Sequence, residues 1–201
     1  MRRVAAVVAW VLDHWKGPEV DKDAVIAAAL VHDLGNIVKF DFDWPGQAQL
    51  VGEEWNRKEY WKAVQETVFA RYGTKHDDAT DAMLAELGAD PSVGRIVHAT
   101  GYQHLPRMAQ HGSWEEKLLV YGDLRVAPHG IVSREERMRE GRERYAQLHP
   151  RVRDSEGFVQ EGHAPFTHAG ADIENAIAAH TSAPLHLITD QSAAPYVESF
   201  S

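Results

Sequence analysis

Apolar side chains recur every three to four residues along most of this chain, the period of an α-helix. Val4, Val7, Val8, Val11 and Trp15 fall at that spacing and predict an amphipathic first helix over residues 2–15, stopped before Gly17-Pro18. The basic start and apolar run also resemble a secretory signal, but Asp13-His14-Trp15-Lys16 stands where a small-residue cleavage site belongs. A second helix is expected to start near Asp21 or Asp23, whose carboxylates can cap free backbone N–H groups. It carries Val25, Ala28, Ala29 and Leu30 and ends around Gly35. Residues 36–51, with Phe40, Phe42, Trp44, Pro45 and Gly46, read as a loop.

Downstream, helices are predicted over 53–72, closed by Gly73, and over 78–87, stopped by Gly88. Asp90 before Pro91 is an N-cap followed by proline at the first helical position. Ser113 with Glu116, and Ser133 with Glu136, have the spacing of capping boxes. The second of these opens "REERMREGRERYAQL", so charged that it reads as a surface helix. After Pro150 a long loop is expected, then a short helix over 172–180 and a tail lying over the body or disordered. No repeat or strong strand pattern is present, and the fold class predicted is all-α. The division expected is a compact helical domain over 1–148 and a loop-rich extension over 149–201.

Composition narrows the chemistry. With 201 residues the chain can bury a substantial core, and its net charge of −9 argues against non-specific binding to nucleic acid or to an acidic membrane. It contains no cysteine, which removes disulfides, thiolate metal sites and a Cys nucleophile. Any metal must be held by nitrogen and oxygen, and 12 histidines make such a site plausible. No run approaches the length of a membrane span. The expected location is the cytoplasm.

"AALVHDLGNIVKF", residues 28–40, carries the strongest signal. An imidazole and a carboxylate, His32 and Asp33, end an apolar helix, where burial without a partner is costly. Adjacent helical residues diverge by about 100°, but at a helix end, with Gly35 letting the backbone turn, both can face one divalent ion. Asp123, after the apolar stretch Leu118-Leu119-Val120-Tyr121, is a second carboxylate expected to be half-buried and in need of a cation.

This combination resembles the HD-domain metal-dependent phosphohydrolases, whose pattern is His … His-Asp … Asp on separate helical stretches. His32-Asp33 in "AALVHDLG" matches the central pair and Asp123 in "VYGDLR" the terminal Asp, over roughly residues 1–145. The family's first histidine would fall at or just before Met1. Three readings stay open: a start upstream of Met1, a missing ligand, or His14 in an unusual geometry. Some branches of the family add histidines between the pair and the last Asp and bind two metals. His76 is such a candidate ligand or substrate contact, and His98 and His104 are candidate substrate contacts in the same interval.

The resemblance implies a divalent ion (Mn, Mg, Co, Ni, Zn or Fe) on His32, Asp33, Asp123 and His76. Asp33 would also orient the attacking water. Lys39, seven residues beyond His32, is expected to reach a substrate phosphate, as is Arg125 beside Asp123. The function expected is hydrolysis of a nucleotide or another small phosphorylated metabolite. A catalytically inactive binding or regulatory protein is the alternative, and a di-iron oxygenase on the same fold a more distant one. Domains of this kind often form homodimers, although no heptad seam marks an interface here.

Overall fold

The computed structural model describes residues 1–44, 48–101, 104–148 and 164–200. Among the described residues the regular structure is helical, apart from a two-stranded hairpin in which Val126–Ala127 (β1) pairs with Gly130–Ile131 (β2) and a single bridge between Trp15 and Thr181. The sequence pattern gives no sign of that hairpin.

At the centre runs α1 (Arg2–Asp13), and every residue from Val4 to Leu12 is buried. The predicted amphipathic stripe is therefore not what forms. This helix is covered on all sides, which is why Ala5, Ala6 and Ala9 separate its valines: small side chains let neighbouring helices approach closely. Its neighbours are α2 (Lys22–Val31), α8 (Trp114–Asp123) and the last helix, α11 (Asp190–Ser199). The closest approach is at Gly122 of α8. A β-carbon there would stand 2.8 Å from Val8 Cγ2 and 3.2 Å from the Val4 carbonyl oxygen.

Local signals set most helix starts. Asp21 accepts from the Ala24 N–H at 3.0 Å and caps α2. At α8 the capping box forms, with the Ser113 N–H donating to Glu116 Oε2 at 2.7 Å and the Glu116 N–H to Ser113 Oγ at 3.3 Å. Asp90 caps α6 (Pro91–Val97) through the Ser92 N–H, and Ser133 caps α9 (Arg134–Leu148) through Glu136. Past α2 the chain tightens into a 3-10 turn over Leu34–Lys39, in place of the predicted loop. After the short α3 (Ala48–Val51), regular helix resumes in α4 (Lys58–Tyr72), following a 3-10 stretch over Gly52–Arg57. Next come α5 (His76–Glu86) and α7 (Leu105–His111). His76 thus opens α5 rather than preceding it.

Of the loop predicted over 151–170, residues 151–163 lie outside the described residues and 164–170 are helical instead. Beyond residue 163 the chain packs on the helical body. α10 (Ala164–Ala178) is longer than predicted and sends Ile173 and Ile177 fully into the same core as α1 and α8. α11 packs along α1, where Tyr196 donates its hydroxyl to Asp13 Oδ2 at 2.6 Å. The expected tail is therefore part of the main body. No helix among the described residues is long and apolar enough to cross a membrane.

Candidate metal centre

Three chain segments bring the site together. α2 delivers His32 at its C-cap, the following turn carries Asp33, and α8 ends on Asp123. The Gly122–Val4 and Gly122–Val8 contacts hold the end of α8 against the first turns of α1, and hence place Asp123 beside the amino end of that helix.

The His32 ring is 3 % exposed. Its Nδ1 lies 2.9 Å from the Ala29 carbonyl, which can only accept, so Nδ1 carries the proton. That leaves Nε2 as the outward-facing nitrogen. It is buried and has no hydrogen-bond partner. Two carboxylates flank it, Asp33 Oδ2 at 3.4 Å and Asp123 Oδ1 at 3.7 Å. Both separations exceed a hydrogen bond.

Two donors each about 2.1 Å from one ion lie roughly 3.0–3.4 Å from each other at octahedral or tetrahedral angles. The His32–Asp33 separation falls in this range and the His32–Asp123 separation slightly outside it. Among the described residues no set of three His, Asp or Glu side chains forms a ready-made cation cage. The three converge without closing at ligand distances. An orphaned ring nitrogen between two carboxylates, with the other nitrogen committed to a backbone carbonyl, is nonetheless the donor chemistry a divalent ion takes.

Electrostatics agree with the geometry. Burial works against a charged His32 ring, yet the pull of Asp123 and Asp33 outweighs it and raises its pKa. Burial likewise disfavours ionised Asp123, but His32, then Arg137 and the amino end of α1, hold its carboxyl below the usual range. Lys39 is shifted down by partial burial, with Asp33 and Asp77 opposing. It stands near both acids, consistent with a cation on the rim of the site.

His76 approaches through Gly35. A β-carbon at Gly35 would meet Thr80 Oγ1 at 2.2 Å, the His76 carbonyl at 2.9 Å and the His76 ring at 3.3 Å. Only glycine lets the turn after Asp33 lie flat on α5. The His76 ring pairs through Nδ1 with Asp77 Oδ1 at 2.8 Å, and its Nε2 is also buried without a partner. His98 makes an exposed pair with Asp81 at 2.8 Å. His104 sits at the N-cap of α7. His14 is at the far end of α1, its ring stacked on Trp10 and its Nδ1 bonded to the Trp10 carbonyl at 2.8 Å. Ten residues of helix, about 15 Å, separate it from Val4 at the Asp123 end. The reading of His14 as a ligand in unusual geometry therefore has no support.

Arg125 differs from expectation. It is buried and its guanidinium is already used. Nε donates to the Val132 carbonyl at 2.6 Å, Nη1 to the Leu185 carbonyl at 3.1 Å and to the Tyr121 hydroxyl, and Nη2 to the Ile188 carbonyl at 3.0 Å. It ties the segment before α11 to α8, with four of its five N–H donors committed inside the protein. In the aromatic loop "KFDFDW" Phe42 is buried, with its ring edge-on to Phe40.

Two residues near the site are not singled out by the sequence pattern. Gln65 of α4 is buried and donates to the carbonyls of Ile37 at 2.7 Å and Phe40 at 2.8 Å, bracketing Lys39. A signal for it does exist: Trp61, Gln65, Val68, Phe69 and Tyr72 share one helical face, and a lone amide on an apolar face needs partners. Arg137 is hidden in the charged run of α9.

Comparison with known proteins comes down to one finding. Neither the curated proteins nor the solved structures yield a match. A family model described as "HD domain" matches residues 1–187, nearly the whole chain, including the helix α10 that lies beyond the expected boundary at residue 148. With the His-Asp pair at the end of α2 and the terminal Asp of α8 facing each other, the chain belongs to the HD domain family, a superfamily of metal-dependent hydrolases.

Proposed function

We propose that this protein is a metal-dependent phosphohydrolase acting on a nucleotide or another small phosphorylated metabolite. The observation that carries the reading is the His32 Nε2 atom, buried, unpartnered and set between Asp33 and Asp123. His32, Asp33 and Asp123 would hold the ion, with His76 as a further ligand on the α5 side. A divalent ion in such a site supplies a water acidic enough to ionise near neutral pH and neutralises charge on phosphoryl oxygens.

The chain's own residues do the rest. Ala29 holds the His32 tautomer through Nδ1. Asp33, half-exposed at the mouth, orients the water and accepts its hydrogen bond. Lys39 meets the phosphate, on a turn clamped by Gln65. The net charge of −9 keeps nucleic acid an unfavourable partner, so recognition of a small anion rests on these local cations.

The test is direct. Protein stripped with chelator is reloaded with Mn, Co, Ni or Mg and assayed against nucleoside monophosphates and a general phosphatase substrate. Metal-dependent phosphate release, abolished in Asp123→Asn, supports the reading. Stoichiometric metal with no turnover of any phosphate ester overturns it.

A second reading is favoured by one observation. α1 itself carries no histidine, and His14 caps its far end, so no described residue of that helix matches the family's first ligand. An HD-fold binding protein without catalysis would show substoichiometric metal and a melting temperature unmoved by chelator.

A further inference from the structure

Among the described residues, two imidazole nitrogens are buried with no hydrogen-bond partner: His32 Nε2 and His76 Nε2. The two rings share a pattern. Each commits Nδ1 to an oxygen that can only accept, the Ala29 carbonyl at 2.9 Å for His32 and the Asp77 carboxylate at 2.8 Å for His76. In a neutral ring the single proton therefore sits on Nδ1, and Nε2 is left as a bare lone pair. His98 is arranged the other way round. Its engaged nitrogen is Nε2, on Asp81 Oδ1 at 2.8 Å, and the pair is exposed.

The His76 ring is also set against the site's own turn. Asp33 opens the 3-10 turn over Leu34–Lys39, and Gly35 within it is buried. A β-carbon at Gly35 would stand 3.3 Å from His76 Cδ2, the ring carbon bonded to Nε2. The ring edge that carries the orphaned nitrogen thus lies on the turn, two residues past Asp33. The backbone of His76 is held as well, because Thr80 Oγ1 donates to its carbonyl at 2.8 Å. What remains is a flip of the ring, and the Asp77 bond opposes it. A flipped ring would put a carbon where Nδ1 now donates, and another carbon in the place of Nε2.

We propose that Asp77 is a positioning residue of the candidate metal centre: it fixes the tautomer and orientation of the His76 ring, so that Nε2 faces the Asp33 turn as a lone pair for a divalent ion. The ligand role rests on the metallohydrolase reading; the tautomer does not. A carboxylate behind a ligating imidazole orients the ring and makes it a better donor. For His32 a backbone carbonyl does this, and for His76 a side chain does, so this half of the site can be altered by mutation. Asp77 also stands with Asp78 in the first turn of α5, where any acid favours the helix. Asp78 shares that charge and place, while the bond to His76 belongs to Asp77, which makes Asp78 the control.

Full-length protein carrying isotope-labelled histidine is followed by long-range nitrogen–proton NMR with the rings neutral, before and during titration with Zn. His76→Gln assigns the signals of His76. Wild type should show His76 with its proton on Nδ1, and Zn should shift the Nε2 signal. Asp77→Ala should move the ring toward the Nε2–H tautomer and weaken Zn binding by about tenfold or more. Asp77→Asn, whose amide oxygen still accepts, should keep the tautomer and restore most of the affinity. Asp78→Ala should change neither. A wild-type His76 protonated on Nε2 overturns the proposal, and that reading needs no variant to fold. So does Zn that shifts His32 and leaves His76 unmoved, or an equal loss of affinity in Asp77→Ala and Asp78→Ala. Zn seated on His76 with Asp77 behind it, in a protein that cleaves no phosphate ester, supports this proposal and sinks the hydrolase reading. Metal-dependent phosphate release with His76 clear of Zn does the reverse.

Discussion

Gly35 and Thr80 meet so closely that a single added methyl would collide: a β-carbon at Gly35 falls 2.2 Å from the Thr80 hydroxyl oxygen. Thr80 is buried and its hydroxyl donates to the His76 carbonyl at 2.8 Å, so it cannot simply swing away. This contact seats the turn after His32-Asp33 on α5. Gly35→Ala should destabilise the protein by roughly 1–3 kcal/mol, the usual cost of overpacking. Thr80→Ala in the same chain should recover part of the loss, while the clash with the His76 carbonyl remains. Denaturant midpoints of the two single variants and the double variant decide it; strict additivity would show that the contact does not exist.

Metal removal should matter more to His32 than to the fold's core. In the proposed site, chelator should lower the melting temperature of wild type, and Mn or Co should restore it. His32→Asn should abolish both responses, because the buried Nε2 is the donor with no other partner. Equal melting shifts in wild type and His32→Asn would place the ion elsewhere.

Gln65 should act through the loop rather than on the ion. Its amide satisfies two carbonyls on either side of Lys39. Gln65→Leu removes both bonds and leaves two part-buried acceptors unpaired, at a cost of about 1–3 kcal/mol. Amide hydrogen exchange over residues 37–44 should accelerate while α1 and α8 stay protected. In the proposed reaction KM should rise more than kcat falls. A uniform loss of protection across the molecule would argue against a local clamp.

Arg125 offers a contrast with that effect. Truncation to Ala strips partners from the carbonyls of Val132, Leu185 and Ile188. A loss of about 3–5 kcal/mol is expected, typical of breaking a buried network. Residues 185–200 should become the first protease-sensitive segment, with metal affinity preserved under conditions where the variant is folded. A folded, fully stable Arg125→Ala with impaired substrate binding would restore the substrate role that the sequence suggested.

Tyrosine ionisation gives a pH test away from the metal centre. Burial pushes the Tyr121 phenol up to about 12, with Arg125 opposing, and burial with the Asp13 contact pushes Tyr196 to about 12. The folded protein holds these protons more tightly than the unfolded chain, whose phenols ionise near pH 10. The stabilisation from fully buried Tyr121 is complete below pH 10 and is lost progressively between pH 10 and pH 12. Ultraviolet titration of the folded protein should show a late-ionising fraction near pH 12 that merges with the rest in denaturant. A single transition near pH 10 in the native protein would contradict it.

By itself the sequence determined the parts that depend on short windows. Capping side chains lie within three residues of the N–H groups they satisfy, so Asp21, Asp90, Ser113 and Ser133 announced their helices. The His32-Asp33 pair and Asp123 were legible because buried polar groups at the ends of apolar helices demand a partner. Tertiary structure alone decided the environments. The alternation of valine and alanine in α1 is compatible with one covered face or with all of them, and only packing by α2, α8 and α11 selects the second. Arg125 and Arg137 carry the same group, and a string of letters does not say which one meets carbonyls from residues 185 and 188 and which keeps a spare donor. The physical reason is common to both cases. Helix formation is settled by neighbours along the chain, whereas burial and hydrogen-bond satisfaction are settled by groups that folding brings in from far away.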